Sequence, residues 1–148
     1  MLFRSLVGDS KLVSYGNLRD MIEAGVEFIA PASKTYVAAA ELAANNTPEG
    51  ARAVARTMAA EKYGWGADQF AALEKLWQKE SGWSYTAYNA SSGATGIPQS
   101  LPGSKMATAG ADWETNAATQ IAWGLDYIAR GYGSPSAAWA HSQSMNWY

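Results

Sequence analysis

Glu80 is the residue whose position in the chain most strongly suggests chemistry. It lies near the end of residues 68–81, a stretch with apolar side chains at helical spacing. At about 100° per residue, Glu80 falls within roughly 30° of the centre of that apolar stripe. Burial and the carboxyl end of a helix both disfavour a negative charge, so the pKa of this carboxyl group should be raised. A carboxyl that keeps its proton near neutral pH suits general acid catalysis. A glutamate that simply extends into solvent is the alternative.

The residues that follow Glu80 combine aromatic with small polar side chains. Between residues 81 and 99, tryptophan and tyrosine alternate with glycine, serine and asparagine, which predicts a shaped loop or a short hairpin. The chain has seven tryptophans and eight tyrosines, and flat aromatic faces can stack on the sugar rings of a neutral polysaccharide. The simpler interpretation places most of them in the core. We assign three tryptophans to the core on this basis: Trp113, Trp123 and Trp147.

Composition argues against several classes of function. With no cysteine and one histidine, His141, the chain offers no thiol nucleophile and no histidine-based zinc site, and we expect neither a metal nor a cofactor. Thirteen acidic against eleven basic residues give a net charge of −2, so no nucleic-acid partner is expected. No apolar run predicts a membrane span, and the first residues lack the pattern of a signal peptide. We expect a monomer.

Four helices are predicted to position Glu80 and the aromatic loop. They cover residues 51–63, 68–81, 117–130 and 136–141. Thr47 and Pro48 form a good start for the first, which carries Val54 and Met58 on one stripe. Gly131 is the predicted stop of the third helix. Residues 101–110 are predicted as a loop.

The second and third helices have clear apolar faces. These faces consist of Phe70, Leu73, Leu76 and Trp77 in one helix and Ile121, Leu125 and Ile128 in the other. Asp112, just before the third helix, is interpreted as a loop or capping residue rather than a second catalytic acid.

Residues 1–46 have a different pattern and predict an appended α/β fragment. The predicted elements are a strand ending at Asp9, a helix over residues 14–24, a strand over residues 26–30 closed by Pro31, and a helix over residues 34–44. Two strands are too few to complete a sheet. Residues 7–37 resemble part of a DDE-type insertion-sequence transposase. Asp9 would there need two further metal-binding carboxylates that this chain lacks, so no transposition chemistry is expected. A truncated fusion is the preferred interpretation, and a natural dock for residues 47–148 is the alternative.

A longer set of motifs follows Glu80. The motifs are Glu80-Ser81-Gly82-Trp83, then residues 92–99 with Gly96-Ile97-Pro98-Gln99, and the final Asn146-Trp147-Tyr148. They resemble those of secreted lytic transglycosylases of Gram-positive bacteria. The similarity covers about residues 53–148 and extends to the carboxyl-terminal domain of aggregation-promoting factors and to phage tail domains. It implies a mainly α fold: a lysozyme-like domain over residues 47–148 with the fragment appended.

The resemblance implies cleavage of the β-1,4 bond between N-acetylmuramic acid and N-acetylglucosamine in peptidoglycan. Glu80 would be the single general acid and base, and the product would carry a 1,6-anhydro ring. Ser81 and Gln99 match positions that support the acid and line the cleft, while Gly93 and Gly96 would let the backbone approach the sugar. The implied location is the cell wall, the extracellular space or a phage virion.

The chain departs from the family pattern at several positions. Either Ser91 or Ser92 matches a serine that hydrogen-bonds at the site. The family's Ala-Tyr-Asn motif appears as Ala138-Trp139-Ala140-His141. Trp139 and His141 therefore stand at substrate-binding positions. Tyr127 would replace the motif tyrosine in its contact to the acid. Relatives also carry two cysteines where this chain has Ala72 and Ser136, so these two residues should face each other. Loss of such a disulfide costs about 2–5 kcal/mol.

Three other functions remain open at this point. One is a hydrolytic muramidase on the same fold. Another is a glycan-binding or virion-assembly module without turnover. The last is a DNA-binding protein derived from a transposase, against which the acidic balance argues.

Overall fold

A computed structural model describes the backbone of residues 30–148 and the side chains of residues 37–148. Residues 41–148 form one compact unit. The helices are α1 (Ala30–Asn45), α2 (Pro48–Tyr63), α3 (Ala67–Ser81), a 3₁₀ helix (Gly103–Thr108), α4 (Ala117–Gly131) and α5 (Pro135–Met145). Extended structure within residues 30–148 is limited to two isolated bridges, which pair Thr95 with Tyr88 and with Ser100. The expectation of a mainly α protein is therefore confirmed. No helix in the described part of the chain is both long and apolar enough to cross a bilayer.

Helix α1 changes one prediction for the amino-terminal fragment. The predicted helix over residues 34–44 lies inside α1, but the predicted strand over residues 26–30 is wrong at its end, because Ala30 already belongs to the helix. Pro31 does not close a strand. It lies in the first turn of α1, where a missing amide donor costs nothing. The other strand, with Asp9, and the helix over residues 14–24 lie outside the described residues.

Helix α2 begins and ends as its sequence predicts. The Thr47 side chain accepts a hydrogen bond from the Gly50 amide at 3.0 Å, and Pro48 is the first helical residue. Gly64 ends the helix with φ of 67°, a left-handed conformation that glycine adopts at little cost.

The buried face of α2 differs from the predicted one. Its fully buried residues are alanines, at positions 51, 55 and 59, while Val54 and Met58 are partly buried beside them. Small side chains let a neighbouring helix approach closely, and α2 packs mainly against α4. The prediction selected the larger apolar residues and missed the alanine stripe at i, i+4 and i+8.

Helices α3, α4 and α5 complete the core. All the apolar residues predicted on α3 and α4 are buried. Helix α4 includes Gly131, the predicted stop, and the left-handed glycine is Gly133 with φ of 84°. Helix α5 packs against α3 and extends to Met145, well beyond the predicted end at residue 141. The predicted loop over residues 101–110 contains the 3₁₀ helix.

Of the two fully buried tryptophans, one was predicted to be in the core and the other was not. Trp77 and Trp83 are fully buried and meet edge to face, with ring centroids 5.2 Å apart. Trp113 and Trp123 are half-buried, and Trp147 is 55% exposed, so its assignment to the core is wrong. Trp147 lies after the end of α5, where its ring packs edge to face against His141.

Polar contacts join the start of α4 to the residues before α2 and α4. The Asn46 side chain accepts from the Ala117 amide at 2.8 Å and donates to the Thr115 carbonyl at 2.9 Å. Asp112 accepts from Asn116 and Thr119, and these hydrogen bonds lower the pKa of its carboxyl group. Asp112 is thus a loop residue that supports the first turn of α4, as predicted.

Candidate functional site

Glu80 lies in the last turn of α3, above the buried residues Leu76 and Trp77. Its side chain is half-buried. Burial raises the pKa of the Glu80 carboxyl group, and the positive charge of Lys79 opposes that rise. The chain then leaves the helix at once, because Gly82 adopts φ of 63° and donates its amide to the Gln78 carbonyl. Glu80 is therefore a partly desolvated acid held at a fixed helix end.

Ser81 connects this helix end to residues 96–99, here called the 96–99 turn. Its hydroxyl donates to the Ile97 carbonyl at 2.8 Å and accepts from the Trp83 amide at 3.1 Å. The residue next to the acid thus fixes the 96–99 turn. A serine hydroxyl group can make both hydrogen bonds because it donates one and accepts others.

Tyr148 provides a second connection to the same turn. Its hydroxyl accepts from the Trp77 indole N–H at 2.8 Å and donates to the Pro98 carbonyl at 2.9 Å. Burial and the negative charge of Glu80 raise the pKa of the Tyr148 hydroxyl well above its usual range, although the bond from Trp77 opposes this. The hydroxyl group therefore stays protonated and keeps donating to Pro98. Sequence analysis assigned no role to Tyr148.

Gln120 holds the turn from the side of α4 and was also missed. It is 1% exposed, and its carbonyl oxygen accepts from the Ile97 amide at 2.9 Å. A Cβ at Gly96 would lie 2.5 Å from that oxygen, and Gly96 has φ of 78°. Gly96 is thus needed for the approach of Gln120. The sequence signal was a glutamine next to Ile121 on the buried stripe of α4.

Gln99 ends the turn in a conformation that is rare for its residue type. Its φ is 57°, and its side-chain amide donates to the Gly96 carbonyl at 2.9 Å. A left-handed non-glycine residue costs about 1–2 kcal/mol, and such strain concentrates at functional sites.

Gln99 lines a small pocket of about 90 Å³, here called the Gln99 pocket. Its walls come from the 96–99 turn, the 3₁₀ helix and its approach, α4 and the last residue: Pro98, Gln99, Ser100, Leu101, Lys105, Trp123, Tyr127 and Tyr148. Glu80 does not line this pocket, although its charge helps to raise the pKa of the hydroxyl group of Tyr148, which does.

Comparison with known proteins adds no further constraint. No family model, curated protein or solved structure matches this chain. Its function has to be inferred from its own residues. Within residues 30–148, no group of three histidine, aspartate or glutamate side chains could hold a metal ion.

The predicted serines lie at the tip of the loop, away from these contacts. Ser91 and Ser92 are exposed, and their amides donate to the Asn89 side chain at 2.9 and 3.1 Å. The Ser92 hydroxyl accepts from the Ala94 amide at 3.2 Å. Gly93 turns the tip with φ of 86°. These hydrogen bonds shape the loop and do not involve Glu80.

Of the remaining predicted residues, Tyr127 lies at the Gln99 pocket, whereas His141 and Trp139 pack elsewhere. Tyr127 lines the Gln99 pocket, stacked on Trp123 with centroids 5.2 Å apart. His141 packs between Tyr132 and Trp147, at centroid distances of 5.2 and 4.5 Å. Trp139 is half-buried against the core, with the Lys79 ammonium 6.0 Å from its ring centre.

The structure therefore gathers five side chains at the 96–99 turn and the Gln99 pocket. They are Ser81, Gln99, Gln120, Tyr127 and Tyr148. Glu80 precedes Ser81 at the end of α3, and its charge helps to raise the pKa of the Tyr148 hydroxyl group. Of the other predicted residues, Gly96 belongs to the turn itself, whereas the serines at the loop tip, Trp139 and His141 make contacts elsewhere.

Proposed function

We propose that this protein is a lytic transglycosylase that cleaves the β-1,4 bond between N-acetylmuramic acid and N-acetylglucosamine in peptidoglycan. One observation carries the proposal: a half-buried glutamate with a raised pKa lies at a helix end, beside a turn fixed by several side chains. A glycosidase acid needs such an environment, because it must hold its proton until the leaving oxygen takes it.

The proposed reaction uses Glu80 twice. Its carboxylic acid first donates a proton to the glycosidic oxygen as the bond to the muramoyl C1 breaks. The substrate's own N-acetyl carbonyl stabilises the positive charge at C1. The Glu80 carboxylate then takes the proton from the C6 hydroxyl, whose oxygen bonds to C1 and closes the 1,6-anhydro ring. Water is not consumed and Glu80 ends protonated, ready for another cycle.

The single-carboxylate scheme fits the environment of Asp112, the residue considered from the sequence as a second acid. A glycosidase with two carboxylates needs a second group free to act as nucleophile or base. Asp112 accepts hydrogen bonds from Asn116 and Thr119 at the start of α4, so its carboxylate stabilises the beginning of that helix. We therefore assign no catalytic role to Asp112.

The residues around the 96–99 turn would serve as a preorganised support. Ser81 and Tyr148 fix backbone carbonyls on the acid's side of the turn, and Gln120 fixes the Ile97 amide from α4. Gln99 and Tyr127 are the proposed contacts to glycan, because both line the pocket beside the turn. Such an enzyme would act at the cell wall, outside the cell or in a phage virion, with glycan strands as its partner.

Product analysis on purified peptidoglycan tests the proposal. The wild-type protein should release muropeptides that end in 1,6-anhydro-N-acetylmuramic acid, identified by mass spectrometry. Glu80→Gln should lower the rate at least about a hundredfold, because the amide cannot donate the required proton. Glu74→Gln is the matched control, since it changes an exposed glutamate on the same helix and should leave the rate unchanged.

Three results would contradict the proposal. Products with reducing ends would indicate a hydrolytic muramidase. Equal clearing of cell walls by the wild type and Glu80→Gln would exclude Glu80 as the catalytic acid. Clearing by neither protein would indicate a binding module without turnover.

A further inference from the structure

A second pocket, of about 360 Å³, lies between the loop after α3 and the approach to α4. Three aromatic side chains line it, Tyr85, Tyr88 and Trp113, together with the carboxylate of Glu114. We call it the aromatic pocket. It shares no described residue with the Gln99 pocket.

The walls of the aromatic pocket are held in place by one buried side chain. The Gln120 amide nitrogen donates to the Tyr85 carbonyl at 3.1 Å and to the Trp113 carbonyl at 2.9 Å. The oxygen of the same amide accepts from Ile97 in the 96–99 turn. Two walls of the aromatic pocket and the candidate catalytic turn are therefore fixed by a single residue.

The third aromatic wall is fixed through the short bridges. Tyr88 pairs with Thr95, and Thr95 pairs in turn with Ser100, which lines the Gln99 pocket. Paired residues in antiparallel backbone lie about 5 Å apart. The backbone of Tyr88 in the aromatic pocket is thus joined through Thr95 to the backbone of Ser100 in the Gln99 pocket.

The chemistry of the lining favours a cation. Among the described residues that line the aromatic pocket, Glu114 is the one charged side chain, and its charge is negative. Aromatic faces attract ammonium groups through their negative π-surfaces, and a nearby carboxylate adds to that attraction. A neutral sugar would gain stacking but would make no particular use of the carboxylate.

We propose that the aromatic pocket binds a primary alkylammonium group, supplied by the diamino acid in a peptidoglycan stem peptide. This inference rests on the proposed function, because it takes the glycan strand that carries such peptides as the substrate. Glu114 then selects strands whose peptides keep a free amine, while Glu80 performs the chemistry.

Three matched glycan substrates test this selection. They are strands with free-amine peptides, the same strands after N-acetylation of those amines, and strands stripped of peptides. The wild type should show a kcat/KM about fivefold higher on the free-amine strands than on the acetylated ones, in line with one exposed ion pair and cation–π contact. Glu114→Gln should remove that difference and leave cleavage of stripped strands unchanged. Glu74→Gln should retain the difference. Equal wild-type rates on free-amine and acetylated strands would overturn the proposal.

A binding measurement separates this proposal from the proposed function. A stem tripeptide ending in lysine is titrated against the protein while the Trp113 indole N–H signal is followed by NMR, with Trp113→Phe used to assign it. The shifts should be saturable, and the affinity obtained from them should fall about fivefold after acetylation of the lysine amine or in Glu114→Gln. Absence of a shift, or equal affinity for both peptides, would overturn the pocket assignment even if stripped glycan is cleaved. If stripped glycan is not cleaved but amine-dependent binding is seen, the pocket stands and the transglycosylase proposal fails.

Discussion

At the residue scale, the environment of Glu80 combines a benefit for catalysis with a cost for folding. Burial raises the pKa of its carboxyl group, which preserves the protonated acid at higher pH. The same burial disfavours the ionised form of the folded protein. Sites tuned for activity commonly carry such a cost in stability.

The cost has a defined pH dependence, which can be measured. Because the folded pKa lies above the unfolded value, the folded state binds more protons between the two, and stability falls as pH rises through that interval. Below the unfolded pKa, about 4.3, the effect vanishes. Glu80→Gln should therefore have a higher Tm than the wild type at pH 7, and the difference should disappear near pH 3.5. Thermal unfolding at both values checks this, and a wild type that is the more stable protein at pH 7 would contradict it. Activity should decline as pH rises through the raised pKa of Glu80.

At the element scale, close packing of α4 on α3 depends on Gly124. A Cβ at this position would lie 2.6 Å from the Trp77 ring and 3.0 Å from Pro98. Trp77 is fully buried and donates to Tyr148, and Pro98 belongs to the 96–99 turn, so a shift of either would disturb the candidate site. A glycine in mid-helix, normally unfavourable, is thus required by the packing.

Gly124→Ala tests this packing. Overpacking should cost about 1–3 kcal/mol, and the better helix propensity of alanine should return up to about 1 kcal/mol. We expect a net destabilisation of about 1–2 kcal/mol in urea unfolding. Gly131→Ala is the control, because the same helix leaves open space at that position, and it should be neutral or slightly stabilising. Equal effects at both positions would rule out the packing explanation.

At the scale of the whole molecule, the start of α5 lies against the start of α3. The Ser136 amide donates to the Gln69 side chain at 2.9 Å, and Ala72 lies one turn beyond Gln69 on α3. This contact agrees with the expected pairing of Ala72 and Ser136. It joins residues far apart in the sequence without a covalent bond.

The pairing predicts a stabilising disulfide. Oxidised Ala72→Cys/Ser136→Cys should gain about 2–4 kcal/mol over its reduced form, because the bridge restricts the unfolded chain. The measurement is the Tm with and without reductant, with free thiols counted after mild oxidation. Either single cysteine variant serves as the control. A double variant that keeps both thiols free would refute the pairing.

The features that could be predicted from the sequence are those that depend on near neighbours. The cap at Thr47, the apolar face of α3 and the position of Glu80 on it all follow from residues within a few positions of one another. Gln120 and Tyr148 could not be assigned in this way, since their partners Ile97, Pro98 and Trp77 lie 23 to 71 residues away. Trp147 was misplaced for a related reason. Its size suggested burial, but the chain leaves α5 before any other element can cover it.

Gln120 also gives the protein a chemical weak point. Its amide offers an acceptor to the Ile97 amide and donors to two carbonyl oxygens, an arrangement that a carboxylate cannot reproduce. Slow loss of ammonia from this side chain would place negative charge against the Tyr85 and Trp113 carbonyls. A carboxylate at this position would thus loosen both pockets together, so Gln120→Glu should disturb both of them through one change.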